Sequence, residues 1–179
     1  VVLFVRAPRV VLALLTGSLL GVAGASIQGT FRNPLADPSL LGISSGASLG
    51  AGVHIVLGAT LFRGEAAWTF GLPLAAFAGG LTASALAGAF GGRVLARSTS
   101  ALILAGVGIN AAAFAGVGLL TNIASDTQLR DLSFWLLGSL SGATWPRLLV
   151  TAPIALASML VLLRFGRSLN ALALGEADA

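Results

Sequence analysis

Charged positions in this chain fall in small groups, and long neutral stretches separate them. No ionised residue lies between Arg9 and Arg32, a window of 22 residues. The windows from Asp37 to Arg63, Glu65 to Arg93 and Arg97 to Asp126 hold 25, 27 and 28 uncharged residues. A helix crosses the hydrocarbon core of a bilayer with about 20 apolar residues, at about 1.5 Å of rise each. All four windows are long enough. Helix is the expectation, because a lone strand would leave its amides unpaired in lipid and the alternation of a barrel is absent. Leu148–Leu163 has 16 residues and spans if Arg147 and Arg164 snorkel toward the headgroups. Leu132–Pro146 is interrupted by Gly138, Ser139, Ser141, Gly142 and Pro146, so Gln128–Leu137 is read as a short re-entrant or interfacial helix. The expected fold class is all-α: a polytopic membrane helix bundle with about five transmembrane helices plus that short one. The crossings are placed at about 10–29, 41–61, 67–91, 101–123 and 147–163.

The first crossing does not read as a signal peptide. Its apolar run is too long, and it continues into Phe31-Arg32-Asn33-Pro34 without a cleavage-type end. The stretch Asn33-Pro34-Leu35-Ala36-Asp37-Pro38 is a turn. Its two prolines break any helix and push the residue before each out of the helical region. The chain begins with Val and stops at Gly175-Glu176-Ala177-Asp178-Ala179, which reads as a piece of a longer protein.

Composition sharpens the membrane reading. Of 179 residues, 56% are hydrophobic and 9% charged, and the mean hydropathy is +0.97. So few charges cannot cover a water-soluble surface. That excludes a free-standing soluble enzyme, a nucleic-acid-binding domain and a disordered segment. There is no Cys, Lys or Tyr, and one His. Thiol chemistry, Schiff bases, a P-loop lysine and multi-histidine metal sites are excluded with them, so no metal site is expected. The net charge of +4 comes from ten arginines, whose expected partners are lipid phosphates and acidic protein surfaces, not nucleic acid. The arginines do not set the orientation: Arg6, Arg9, Arg63, Arg130 and Arg147 lie on one side, and Arg32, Arg93, Arg97, Arg164 and Arg167 on the other. Trp68, Trp135 and Trp145 all fall on the Arg6 side. Glycine accounts for 24 residues, many four apart: Gly17 and Gly21; Gly42, Gly46 and Gly50; Gly88 and Gly92. Such stripes let helix backbones approach closely in lipid.

Several residues carry candidate chemistry. Gly42-Ile43-Ser44-Ser45-Gly46 matches a nucleophile elbow in spelling, yet no strand precedes it, and His54 lies further along the same helix. It reads as a Gly/Ser-rich helix start. His54 and Asn110 are polar residues inside apolar spans; each either bonds a neighbouring helix or lines a pathway. Ser98-Thr99-Ser100 sits where an N-cap belongs. Arg93/Arg97 and Arg164/Arg167 are membrane-edge pairs. Arg6 and Arg9 share one helix start, the wrong sign for the helix dipole, so lipid phosphate or an acidic partner should compensate them.

Read together, Arg6-Ala7-Pro8-Arg9, Gln28-Gly29-Thr30-Phe31-Arg32-Asn33-Pro34-Leu35-Ala36-Asp37-Pro38 and Leu40-Leu41-Gly42-Ile43-Ser44-Ser45-Gly46-Ala47 resemble the FecCD-type permeases. So do Leu104-Ala105-Gly106-Val107, Gln128-Leu129-Arg130, Phe134-Trp135-Leu136-Leu137-Gly138-Ser139-Leu140 and Asn170-Ala171-Leu172-Ala173-Leu174-Gly175-Glu176. These permeases are the membrane subunits of ATP-binding-cassette importers for ferric siderophores, haem and vitamin B12. The resemblance implies ten crossings per subunit, of which this chain holds roughly two to six, lacking the first and the last four. It places the Arg6 side outside and the Arg32 side in the cytoplasm of a bacterial cytoplasmic (inner) membrane.

The resemblance also implies roles. Arg6 and Arg9 match arginines that dock an extracytoplasmic substrate-binding protein. Asn33 and Leu35, with Ser98, Thr99 and Ser100, match a cytoplasmic gate. Asn110, Gln128 and Arg130 fall on pathway-lining elements. Leu172, Ala173, Leu174, Gly175 and Glu176 match the start of the segment that couples to the ATPase. The implied partners are a second permease subunit, cytoplasmic ATPase subunits, the binding protein and membrane lipid. This chain itself needs no cofactor, since ATP and magnesium would sit on the partner ATPase. The expected function is transport of an iron-siderophore-type chelate by alternating access, with haem or vitamin B12 as alternatives, and no enzyme activity in this chain. An ion-coupled transporter would place an acid in mid-membrane, whereas every Asp and Glu here lies at a window edge.

Overall fold

A computed structural model describes residues 2–58, 70–91 and 99–174. Every regular element among them is helical. In chain order these are α1 (Ala7–Phe31), α2 (Ile43–Val53), α3 (Leu72–Ala89), α4 (Thr99–Ile123), α5 (Asp126–Leu137), α6 (Trp145–Arg164) and α7 (Gly166–Leu174). A π turn, Val2–Arg6, leads into α1, and a second, His54–Gly58, extends α2. The chain divides into two compact units, residues 1–37 with 139–179 and residues 38–138.

In the first unit, α1 packs on α6 and α7. Pro8 is buried at the second position of α1, directly after the π turn. The helix ends where Arg32 turns left-handed at φ 46°. The Arg32 amide donates to Gly29 O at 3.3 Å and the Asn33 amide to Gln28 O at 3.2 Å. This pair of bonds satisfies carbonyls that the helix end would leave open. Pro34 and Pro38 then deny any continuation, as the sequence predicts.

In the second unit, the 3₁₀ turn Pro38–Leu41 and Gly42, at φ +79°, start α2. The closest helix pair is α2 on α3. A methyl group added to Gly50 would overlap the Ala75 carbonyl, and one added to Gly46 would meet both Ala83 Cβ and the Gly79 carbonyl. The backbones touch because no side chain intervenes. On α4, a methyl on Gly106 would overlap the carbonyl of Leu40 in the 3₁₀ turn, and one on Gly116 would come within 2.8 Å of Leu49 Cδ1 on α2. Ile55, Val56, Val117, Leu120 and Leu132 form the buried core, flanked by Leu49, Leu72, Ala124 and Trp135.

Among the described residues, four helices are long and apolar enough to cross a bilayer: Val2–Phe31, Leu72–Ala89, Ser100–Ile123 and Trp145–Arg164. Ile43–Gly58 is shorter and covers about 24 Å. It lies in the window where a full crossing over 41–61 was expected, the last residues of which fall outside the described ones. The most apolar part of Val2–Phe31 is not buried at all, and that of Trp145–Arg164 only 6% buried, within the chain. Leu14 is 67% exposed and Leu119 is 71% exposed. In water such surfaces would aggregate; in lipid they are the solvated face.

Candidate functional site

The sequence-designated residues fall into groups that belong to separate units. In the first unit, Arg6 ends the leading π turn and is exposed, while Arg9 is half-buried in the first turn of α1. The Arg9 guanidinium donates from Nη2 to Ser141 O at 3.3 Å. Its Nε is buried with no hydrogen-bond partner. Arg147, from the first turn of α6, donates from Nη1 to Gly142 O at 2.8 Å. Two guanidinium groups from different helices therefore converge on consecutive carbonyls of one loop. The loop is held further by the Ser139–Ser141 hydroxyl pair at 2.6 Å. Trp145 anchors the same end, donating from Nε1 to Leu3 O at 2.9 Å. Carbonyl dipoles offset only part of two like charges, so this end of the unit suits a carboxylate partner. The sequence marks Arg147 only as a membrane-edge arginine; the link to Arg9 depends on the fold.

The turn after α1 is tied to itself. The Leu35 amide donates to Asn33 Oδ1 at 2.9 Å, the Ala36 amide to Asn33 O at 3.0 Å, and Gln28 Nε2 to Pro34 O at 3.0 Å. With its backbone closed, the turn presents Leu35 86% exposed. Of the other expected gate residues, Ser98 lies outside the described residues, α4 begins at Thr99, and Ser100 is exposed. Leu172, Ala173 and Leu174 form the end of α7, whereas Gly175 and Glu176 lie outside the described residues.

In the second unit, Asn110 is a polar tie. Ser45, 2% exposed, puts its hydroxyl 2.5 Å from Asn110 Oδ1, and Asn110 Nδ2 donates to Ser39 O at 3.0 Å. One side chain of α4 thus holds both α2 and the turn before it. Ser44, the nucleophile position of the elbow spelling, is exposed in the first turn of α2, and no strand precedes it. The His54 ring lies against Gly71, where an added Cβ would stand 2.6 Å from its Cε1.

Gln128 sits in the first turn of α5. Ser125 caps this helix, and the Gln128 side chain returns the bond to the Ser125 amide at 2.9 Å, a reciprocal capping box. The Ser-x-x-Gln spacing was legible as a cap, and it moves the helix start from Gln128 to Asp126. Gln128 Nε2 also reaches α2, donating to Val56 O at 3.0 Å and Ile55 O at 3.3 Å. Arg130 is exposed. Among the described residues there is no cluster of His, Cys, Asp and Glu that could hold a metal ion.

Exposed apolar spans, glycine-mediated crossings and polar ties between helices define a multi-pass membrane helix bundle. The sequence profile of the FecCD transport family matches residues 1–179. The chain belongs to that family. It is 44% identical over 178 residues to the hemin transport system permease protein HmuU of Yersinia pestis, covering 98% of this chain and 52% of that one. It is 36% identical over 175 residues to the cobalamin import system permease protein BtuC of Halobacterium salinarum, covering 98% and 45%. A solved structure, described as an inward-facing conformation of a metal-chelate type ABC transporter, matches with a TM-score of 0.86 and 33% identity, over 100% of this chain and 55% of that one. The chain spans about half the length of the curated relatives it matches.

Proposed function

We propose that the whole protein is the membrane subunit of an ATP-driven importer that carries an iron-siderophore-type chelate across the bacterial cytoplasmic membrane. The observation that supports this most is the family match over the full chain, joined to four apolar helices among the described residues whose most apolar stretches are at most 22% buried within the chain. A second permease subunit covers part of that surface, and lipid the rest. Arg6 and Arg9, with Arg147 beside them, receive carboxylates of an extracytoplasmic binding protein. The α7 segment passes motion from cytoplasmic ATPase subunits, which bind ATP and magnesium. The two permease halves then rock to open the path alternately to each side. The turn that presents Leu35, with Ser98–Ser100, closes the cytoplasmic end. Haem is the second reading for the cargo, favoured by the 44% identity to a hemin permease; cobalamin is the third.

The test is uptake by cells or proteoliposomes carrying the full-length permease with its ATPase and binding protein. Ferric siderophores, haem and cobalamin are offered in turn. ATP-dependent accumulation of one iron chelate is expected. Accumulation of cobalamin alone would overturn the cargo, and accumulation that ignores ATP would overturn the importer reading.

A further inference from the structure

The Gln128 carboxamide uses its whole hydrogen-bonding capacity. Its two N–H groups go to Ile55 O and Val56 O in the π turn that extends α2. Its oxygen accepts from the Ser125 amide and lies 3.2 Å from the Ser125 hydroxyl. Only one orientation of the amide works, because the reverse would set its oxygen against two carbonyls. Below this polar link the contact is apolar. Leu132, one turn further along α5 and 1% exposed, packs into Ile55 and Val56, with Trp135 at the edge of the same cluster. Positions 128, 132 and 135 share one face of α5.

We infer that Gln128 is a latch that makes α5 and the π turn of α2 move as one body. π turns are rare departures from the regular α-helical ladder and recur at functional sites. Here the π turn is bonded to the first turn of a second helix by the residue that also caps that helix. Loss of the latch frees both ends at once. Its place in a transport cycle rests on the importer reading; the mechanical link does not.

Gln128→Glu separates the two duties. A carboxylate still accepts from the Ser125 amide, and glutamate is a good third residue in a capping box. It also suits the positive end of the α5 dipole. Toward α2 it has no proton to give and would face two carbonyl oxygens.

The experiment uses the full-length permease assembled with its partners in lipid nanodiscs. Nitroxide labels on cysteines replacing Leu57 and Thr127, both exposed, report the α2–α5 distance. In the native background we expect one narrow distribution, unchanged between nucleotide-free and ATP-bound states. In Gln128→Glu it should broaden or shift by about 5 Å, the scale of a one-turn slip, and uptake should fall with unchanged affinity for the binding protein. Gln128→Asn, one methylene too short to reach, should do the same and serves if the glutamate variant does not assemble. A native-like narrow distribution in the variants would overturn the latch and leave Gln128 as a cap only. A native distance that changes with nucleotide would overturn the one-body motion. Absence of ATP-driven uptake in the native transporter would fault the importer reading, while the label distances would still judge the latch.

Discussion

The α2–α3 crossing makes a prediction of sign as well as size. In Gly50→Ala the new methyl would overlap the backbone carbonyl oxygen of Ala75, which no rotamer change can move aside. The helices must therefore part by roughly 1 Å, which forfeits a quarter to a half of each contact's attraction. Over roughly thirty atom pairs, at about 0.1–0.2 kcal/mol apiece, the loss is about 2 kcal/mol. Added strain brings the total toward about 3 kcal/mol. Alanine returns up to about 1 kcal/mol of helix propensity. The net expectation is destabilisation by about 1–2 kcal/mol. Gly21→Ala is the control, since an added Cβ there meets nothing within 4 Å in this chain. It should be neutral or stabilising by up to about 1 kcal/mol. The assay is reversible unfolding of this chain in mixed micelles by increasing SDS, followed by tryptophan fluorescence. Equal stability of the two variants would refute the reasoning, because it would mean that the backbones are not in contact at Gly50.

Other expectations separate residues that the sequence treats alike. Arg6→Glu, at an exposed position, should slow binding-protein association in a salt-dependent way, whereas Arg9→Glu and Arg147→Glu should also speed dissociation, because each would turn a carboxylate on a loop carbonyl. Surface plasmon resonance with the full-length permease in nanodiscs checks this, and equal effects of all three on association alone would refute it. Asn110→Ala should cost about 1 kcal/mol, within the range of interhelical bonds in membranes. Ser45 can then turn its hydroxyl to Gly42 O, 3.0 Å away, so the Ser45/Asn110 double-mutant cycle should show coupling of about 0.6–1.7 kcal/mol in the same SDS assay. Single cysteines at Arg6 and Arg167 should label from outside and from the cytoplasm respectively with a membrane-impermeant maleimide; labelling of position 167 from outside would invert the orientation.

The helices were legible because charge is excluded from lipid so strongly that its absence alone marks a span. The neutral window after Arg97 holds the whole of α4, and the 22-residue window after Arg9 holds all of α1 but its first three residues. Ends were legible only where a residue enforces them. The two prolines stop α1, but nothing in composition announces that α2 changes to a π turn at His54. Glycine spacing announced stripes without saying what they face. Gly46 and Gly50 lie against α3, whereas Gly17, Gly21 and Gly88 have nothing within 4 Å. Their counterpart, Gly79, lies outside the repeats noticed in the sequence, because the partner in a crossing needs smallness at one point and no period of its own.

Polar residues were harder to read for a related reason. In an apolar span a lone amide must find a partner, but one sequence cannot say whether that partner is another helix or a wet path. Asn110 and Gln128 both bond protein groups on other elements. Arg147 shows the limit from the charged side. Its window position fixed only that it lies at a membrane edge, and its pairing with Arg9 on Ser141 O and Gly142 O arises because α1 and α6 close on the same loop. What a sequence of this kind fixes well is where the protein must avoid water. Which polar groups then meet is decided by helix crossings, and those depend on contacts distant along the chain. The polar ties that result join residues far apart in the chain: Leu3 with Trp145, Arg9 with Ser141, Gln128 with Val56, and Asn110 with Ser39 and Ser45.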